Sequence, residues 1–209
     1  MGALAHEIKK KRAYTMADVE TLHEEGIWAE LINGQIYVRE TPEIIGKKFP
    51  YDIFLRKAPG MRHQAISVEL SGQISNYLRG KRFHVFHGAT VKLTDDDAGY
   101  VIPDIFVVCN PSKITPRACL GVPDFIIEIL STHNKKDDTI IKFRQYLQVG
   151  VPEYWIVDPE ANTVTMHRLV GNQYTTAVCD ETETAPIACL PGFEIDFSLV
   201  FKKKFMGNH

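Results

Sequence analysis

The sequence predicts a mixed α/β (α+β) fold in which a central β-sheet is flanked by α-helices. Two runs are apolar almost throughout rather than alternating, residues 101–109 (VIPDIFVVC) and 123–130 (PDFIIEIL). Strands with this pattern are covered on both faces of a sheet. Residues 63–78 and 137–149 carry apolar side chains at helical spacing, and these two segments supply the covering helices.

The chain is predicted to begin with a helix and a β-hairpin. Thr15 is a candidate N-cap for a helix that ends near Gly26. Residues 28–40 (WAELINGQIYVRE) indicate two strands joined at Asn33-Gly34, the strongest short-range signal for a hairpin turn. The hairpin is therefore expected as an N-terminal extension of the core.

Residues 41–60 contain three prolines and no clear period, which indicates an irregular insertion or flap. Between residues 46 and 63 one acid, Asp52, is outnumbered by the basic residues Lys47, Lys48, Arg56, Lys57 and Arg62. Such a patch can neutralise phosphates even though the net charge of the chain is −2. A solvated face is the simpler interpretation of the same pattern.

The remaining elements follow in order along the chain. Strands are predicted over residues 83–93, 101–109, 123–130, 151–159, 162–170 and 172–178, with a short closing element at 193–205. No internal repeat is present, and residues 1–209 are expected to form a single domain.

Composition excludes several classes of protein. Apolar residues make up 44% of the chain and charged residues 24%, as in ordinary globular domains. The four cysteines form no C-x-x-C pair, so neither a zinc ribbon nor a disulfide framework is indicated. No apolar run approaches the roughly 20 residues that span a bilayer, and the N-terminus lacks the apolar segment of a signal peptide. We expect a cytoplasmic protein with no membrane partner.

Two predicted core strands each carry one carboxylate inside an apolar run, Asp104 and Glu128. A buried carboxylate must be paired, neutralised or bound to a cation, and a salt bridge is the usual explanation for a single one. Two carboxylates on neighbouring strands repel each other and raise each other's pKa unless a cation lies between them. Oxygen ligands of this kind suit Mg²⁺ or Mn²⁺.

Lys142 is the cationic candidate that accompanies these acids. It lies in the helix predicted over residues 137–149 and shares a face with Tyr146, one turn further on. From the margin of the apolar stripe its side chain could reach over the sheet toward Glu128. A lysine on a solvated helix face is the alternative interpretation.

These residues carry a resemblance to a known family. Asp104 follows a proline and Glu128 comes 24 residues later in E-I-L, which resembles the PD-(D/E)-x-K nuclease superfamily. Further segments extend the match and are similar to the Uma family of restriction-endonuclease-like proteins, over roughly residues 15–170: AELINGQIYV, MRHQAISVELSGQISNYL, VIPDIFVVCNPSKI, GVPDFIIEILS and FRQYLQVGVPEYWIVDP.

The resemblance implies a restriction endonuclease-like core and a metal-dependent endonuclease that hydrolyses phosphodiester bonds in DNA. Asp104, Glu128 and the backbone carbonyl of Ile129 would hold Mg²⁺ or Mn²⁺, and Lys142 would orient the attacking water. Glu30 matches an acid near the start of the family pattern and is a candidate additional metal ligand. A polar residue on an alternating hairpin strand is the other interpretation of Glu30.

The same resemblance directs attention to residues that contact substrate. His63 and Gln64 open a helix that faces the predicted cleft, and Lys57 and Arg62 belong to the basic segment before it. We expect double-stranded DNA as substrate and a homodimer, since two sites would then meet the two strands of a duplex.

The chain departs from the superfamily pattern at Leu130, where the motif has lysine. The Uma family is similar in keeping its lysine in the next helix, which is Lys142 here. The departure leaves open a non-catalytic nucleic-acid-binding or regulatory module that retains the nuclease fold. A hydrolase of another phosphorylated substrate is a further alternative.

Overall fold

The computed structural model describes residues 14–94, 99–131 and 137–202. Its α-helices are α1 (Met16–Glu24), α2 (Met61–Leu78), α3 (Asp137–Gln148) and α4 (Phe197–Phe201), with a 3₁₀ turn at Pro111–Lys113. Its strands are β1 (Ala29–Ile32), β2 (Gln35–Arg39), β3 (Ile53–Arg56), β4 (His84–His87), β5 (Val91–Lys92), β6 (Gly99–Val101), β7 (Ile105–Val108), β8 (Cys119–Leu120), β9 (Phe125–Ile129), β10 (Glu153–Asp158), β11 (Thr163–Val170), β12 (Gln173–Asp180), β13 (Thr184–Pro186) and β14 (Glu194–Asp196).

The strands divide between two six-stranded sheets and a small ribbon. The first sheet has the order β3-β2-β1-β6-β5-β8, the second has the order β12-β11-β10-β9-β7-β4, and β13 pairs with β14. Both large sheets are mixed, because β2–β3, β5–β8 and β9–β10 pair in parallel while their other pairs are antiparallel. The predicted mixed fold with flanking helices is confirmed, although its strands occupy two large sheets.

The N-terminal helix and hairpin form where they were predicted. Thr15 caps α1, with its backbone N–H donating to Asp18 Oδ2 at 2.9 Å. Asn33 and Gly34 have φ values of 50° and 71°, the positive pair that a two-residue type I′ turn requires.

The 41–60 segment is not irregular throughout, because β3 forms inside it. This strand pairs in parallel with β2 and sets Leu55 opposite Val38 and Arg56 opposite Arg39. A four-residue strand has too few positions to show its own period. The position of β3 depends on backbone pairing with β2 at the edge of the first sheet, and the local sequence does not indicate this pairing.

Two predicted strands break where the chain crosses between the sheets. Residues 83–93 form β4 in the second sheet and β5 in the first, and residues 101–109 form β6 in the first and β7 in the second. Pro103 has no N–H to donate to a ladder, which favours the second break. Asp104 therefore stands at a corner where the two sheets approach each other.

The second sheet is covered on both faces. Helix α2 packs on one face through Ile66, Leu70, Ile74 and Leu78. On the other face Tyr146 of α3 packs in a cluster that contains residues of both sheets, among them Ile32, Val101, Phe106, Ile126 and Tyr154. No helix of the described residues is long and apolar enough to cross a membrane.

Candidate active site

Asp104 and Glu128 lie opposite each other across two neighbouring strands. Strands β7 and β9 pair antiparallel, with Ile105 opposite Ile127 and Phe106 opposite Ile126. One further step of this register sets Asp104 opposite Glu128. Directly opposed residues share a face of the sheet, with Cβ atoms about 4.5–5.5 Å apart. The expectation that the two acidic runs are neighbours is confirmed.

The Asp104 carboxylate is held through one of its two oxygens. Oδ2 accepts a hydrogen bond from Ile129 N at 2.8 Å and lies 3.2 Å from His63 Nε2. Burial alone would raise the pKa of Asp104, but His63 and the Ile129 N–H outweigh it and lower the pKa below its usual value. Oδ1 accepts no hydrogen bond from a described residue, and Asp104 lines an open cleft.

The Glu128 carboxylate is held in the same one-sided manner. Oε1 accepts from the Tyr146 hydroxyl at 2.7 Å and from Lys142 Nζ at 3.0 Å, while Oε2 receives no donor from the described residues. Burial raises the pKa of Glu128, Lys142 partly offsets that rise, and the charges of Asp104 and Glu30 add to it, giving a value of about 7. The carboxyl group is thus poised between its protonated and ionised forms near neutral pH.

Lys142 is buried and directed at the acids rather than at solvent. Its Nζ lies 2.9 Å from Glu30 Oε1 and 3.0 Å from Glu128 Oε1. Burial favours the neutral amine, but Glu128 and Glu30 outweigh it and raise the pKa of Lys142 above its usual value. The side chain therefore carries a full positive charge between two glutamates.

Glu30 of β1 has both oxygens engaged by donors of the protein. Oε1 accepts from Ile102 N at 2.8 Å and contacts Lys142, and Oε2 is paired with the Arg56 guanidinium. Burial would raise the pKa of Glu30, yet the charges of Lys142 and Arg56 lower it below the usual value. This carboxylate holds Lys142 in place. That Glu30 also binds a metal ion remains a prediction.

The donor set suits a metal ion that retains water ligands. Within the described ranges, no group of three or more His, Cys, Asp or Glu side chains is arranged to hold a metal ion. Two carboxylates with one uncommitted oxygen each remain, on opposed strands that face the cleft. Mg²⁺ is commonly bound by one or two carboxylates together with water and substrate phosphate.

The cleft has a volume of about 130 Å³ and two contrasting walls. The acidic wall consists of Asp104, directly before β7, and Glu128 on β9. The hairpin wall consists of residues on or beside β1, β2 and β3, and the cleft-lining members are Trp28, Glu30, Tyr37, Arg39, Arg56 and Lys57. Ile129 and Leu130 line the cleft next to the acidic wall.

The predicted substrate-binding residues divide into two pairs. Lys57 and His63 line the cleft, and His63 contacts Asp104. Gln64 and Arg62 are not among the cleft-lining residues, and the Arg62 guanidinium instead donates to Asn162 Oδ1 at 2.6 Å. A helix turns about 100° per residue, so neighbours of His63 on α2 point elsewhere.

Sequence reasoning missed most of the hairpin wall. Glu30 pairs with Tyr37, and two further steps of this antiparallel register set Trp28 opposite Arg39, so the four side chains share one face. The Asn-Gly turn already implies this register, and applying it would have identified Trp28 and Arg39. The sequence places Arg56 in a basic segment, but nothing local indicates that it reaches Glu30 from a separate strand.

Comparison with solved structures shows that the chain shares its fold with a protein of known structure. A crystal structure described as "a putative nuclease belonging to DUF820 from Anabaena variabilis ATCC 29413" is 24% identical, with a TM-score of 0.66. The match covers 90% of this chain and 97% of that chain, and at this identity it shows a shared fold. No curated protein matches the chain.

The family model of Uma2, described as "Putative restriction endonuclease", matches residues 52–198, more than half of the chain. The chain belongs to this family, and the resemblance seen in the sequence is confirmed. The matched range contains Asp104, Glu128 and Lys142, whereas Glu30 and Arg39 lie before it.

Proposed function

We propose that the protein is a metal-dependent endonuclease that hydrolyses phosphodiester bonds in DNA. One observation carries the proposal. Asp104, directly before β7, lies opposite Glu128 of β9, and both residues line an open cleft beside the buried ammonium of Lys142. Each carboxylate keeps one oxygen that accepts no hydrogen bond from a described residue. Membership of a family described as restriction endonucleases supports the nuclease class.

In this proposal Asp104, Glu128 and the carbonyl of Ile129 would hold one Mg²⁺ or Mn²⁺ ion. When bound, such an ion would lower the pKa of a water molecule and neutralise charge on the phosphate. The carboxylates are well prepared for this role, since their other oxygens are already fixed by Ile129 N, Tyr146 and Lys142.

The remaining polar residues act on water, on phosphate or on the ligands. Lys142 keeps its proton and points into the site, where it would orient the attacking water and offset charge that develops on the phosphate. Glu30 positions Lys142, and Tyr146 positions Glu128. His63 lines the cleft and fixes the Asp104 carboxylate.

DNA is favoured as substrate because the hairpin wall brings cationic side chains to the acidic wall. Arg39 and the exposed Lys57 line the cleft across from Asp104 and Glu128, beside Arg56, whose charge is paired with Glu30. Cationic side chains that neutralise phosphates supply most of the affinity of nucleic-acid-binding proteins. In a homodimer, two such clefts would meet the two strands of a duplex.

The test uses purified protein, Mn²⁺ and supercoiled plasmid, because nicking is detectable there without knowledge of a target sequence. Wild type should nick the plasmid, and Lys142→Ala should slow nicking by roughly a hundredfold, the scale of losing one charge-stabilising donor. Lys81→Ala is the matched control, since this exposed lysine donates to Tyr77 O outside the cleft. Undiminished nicking by Lys142→Ala would exclude the lysine from catalysis.

The alternative is a non-catalytic nucleic-acid-binding module. Leu130 favours it, because this residue lines the cleft where the superfamily motif has lysine. A non-catalytic module would bind DNA but show neither nicking nor stabilisation by Mg²⁺ or Mn²⁺. Metal-dependent stabilisation of wild type, measured by thermal unfolding, therefore separates the two functions even if the plasmid lacks a cleavage site.

A further inference from the structure

Two arginines of the hairpin wall each lie on an aromatic ring. Arg56 Cζ is 4.3 Å from the ring centre of Tyr37, and Arg39 Cζ is 3.3 Å from the ring centre of Trp28. The backbone N–H of Arg39 also donates to Trp28 O at 3.2 Å, so the strand ladder fixes this pair. Both arginines line the cleft.

The two arginines differ in what neutralises them. Arg56 is paired with the Glu30 carboxylate, so its charge is used inside the protein. Among the described residues, no carboxylate lies within salt-bridge distance of Arg39, and no oxygen accepts a hydrogen bond from its side chain. Burial lowers the pKa of Arg39, and the more distant Asp104 and Glu30 only partly offset this effect. A guanidinium nevertheless stays charged at neutral pH.

We propose that Arg39, held over the Trp28 ring, is a phosphate-binding residue that anchors a backbone phosphate next to the one being cleaved. This inference rests on the proposed function and extends it to a specific contact with substrate. The planar guanidinium presents donors in a fork that matches two phosphate oxygens. Contact with the indole orders the side chain beforehand, so less conformational entropy is lost on binding.

We assign Arg39 to a flanking phosphate, because Lys142 already lies beside the acids where the cleaved phosphate would bind. Lys142 is buried between two glutamates, whereas Arg39 is half-buried on the opposite wall beside Trp28. Arg39 is charged before substrate binds, and its contact with a flanking phosphate should be equally strong in the ground state and in the transition state. Its loss should therefore raise KM and leave kcat within a few-fold of wild type.

The test measures binding without cleavage, in the Asp104→Asn background, with a fluorescein-labelled duplex oligonucleotide at several salt concentrations. Arg39→Ala should weaken binding by about tenfold or more, the scale of one lost hydrogen bond to a charged group. The slope of log K against log salt should fall by about 0.9, the value for one phosphate contact on duplex DNA. Arg39→Lys should restore the slope but only part of the affinity, because it keeps charge without the planar fork.

The matched control is Arg82→Ala. Arg82 also lies over an aromatic ring, with Cζ 5.7 Å from the ring centre of Phe83, but it is exposed and does not line the cleft. This variant should bind like its parent, with the same salt slope. A thermal unfolding midpoint of Arg39→Ala close to that of its parent would show that the lost affinity is not lost folding.

Tryptophan emission supplies a second readout in wild-type protein. The chain has two tryptophans, and Trp155 is fully buried, so a change in emission on oligonucleotide addition should arise at Trp28 and disappear in Trp28→Phe.

Unchanged affinity and salt slope in Arg39→Ala would overturn this inference while leaving the proposed function intact. Failure of the parent itself to bind DNA would overturn the proposed DNA substrate and this inference together.

Discussion

The two walls of the cleft each bury a glutamate beside the same lysine, yet the pKa values of the two glutamates are shifted in opposite directions. Glu30 on the hairpin wall meets Lys142, Arg56 and a backbone N–H, and its pKa is lowered. Glu128 on the acidic wall meets Lys142 and Tyr146 but also faces Asp104, and burial and repulsion raise its pKa to about 7.

The comparison shows how the partners of a carboxylate set its pKa and its availability to a cation. Both oxygens of Glu30 already accept from donors of the protein, so its charge is balanced without a metal ion. Glu128 keeps one oxygen uncommitted and retains a carboxyl group that a divalent cation would stabilise in its ionised form. Burial alone does not distinguish the two residues, whereas their hydrogen-bond partners do.

The largest expected effect comes from removing a carboxylate of the acidic wall. Asp104→Asn and Glu128→Gln should abolish stabilisation by Mg²⁺ or Mn²⁺, which in wild type reaches about 2.7 kcal/mol at a hundred times Kd. Nicking should fall roughly a thousandfold or more, at least as much as losing a charge-stabilising donor. Thermal unfolding with and without metal, together with the plasmid assay, checks both.

Asp124→Asn is the matched control for that prediction. Asp124 also follows a proline, but its Oδ2 accepts from Cys109 N at 2.7 Å, a contact within the fold and outside the cleft lining. This variant should keep the metal response of wild type. An equal response in Asp104→Asn and Asp124→Asn would contradict the assignment of Asp104 as a metal ligand.

If Glu30 holds the hairpin wall together, its removal should lower the free energy of unfolding. Glu30→Ala leaves Arg56 and Lys142 without their shared acceptor, and breaking a buried pair in this way costs about 3–5 kcal/mol. Glu25→Ala, which breaks the exposed Lys47–Glu25 pair, should cost less than about 1 kcal/mol. Urea denaturation measures both free energies of unfolding, and similar losses would show that Glu30 does not hold this wall together.

The raised pKa of Glu128 predicts a pH dependence in metal-free protein. Between pH 4.5 and about 7 the folded state retains a proton that the unfolded state has released, so the free energy of unfolding falls as pH rises. The fall is about 3 kcal/mol across this window. His63 acts in the same direction, since its raised pKa makes a contribution that is lost at higher pH. Glu128→Gln should flatten the profile, and a flat profile in wild type would contradict the environment assigned to Glu128.

The smallest effect is expected from Tyr146→Phe. It removes one hydrogen bond to Glu128 at a cost of about 1 kcal/mol. Because this bond lowers the pKa of Glu128, its loss should raise that pKa and shift the pH-dependent fall in stability to higher pH. Tyr174→Phe is the control, since that hydroxyl donates to the neutral Val151 carbonyl and its removal should cost stability without moving the profile. Equal profiles in the two variants would show that Tyr146 does not tune Glu128.

The sequence by itself determined the features that depend on neighbours along the chain. The Asn33-Gly34 turn, the helical spacing of α2 and α3, and the acids set in apolar runs follow from backbone geometry and side-chain period. The same local patterns place Lys142 one turn before Tyr146, and both side chains contact Glu128. These patterns and the motif residues were sufficient to predict the mixed fold and to select Asp104, Glu128 and Lys142 as candidates.

Only the tertiary structure decided how those candidates are partnered. The division of strands between two sheets brings Glu30, Arg56 and Ile102 to Lys142, although these residues are far apart along the chain. It also gives Glu30 and Glu128 opposite pKa shifts and leaves Arg39 stacked but without a salt bridge among the described residues. The physical reason is that local conformation depends on adjacent residues, whereas burial and Coulomb interactions depend on distances in space that folding alone establishes.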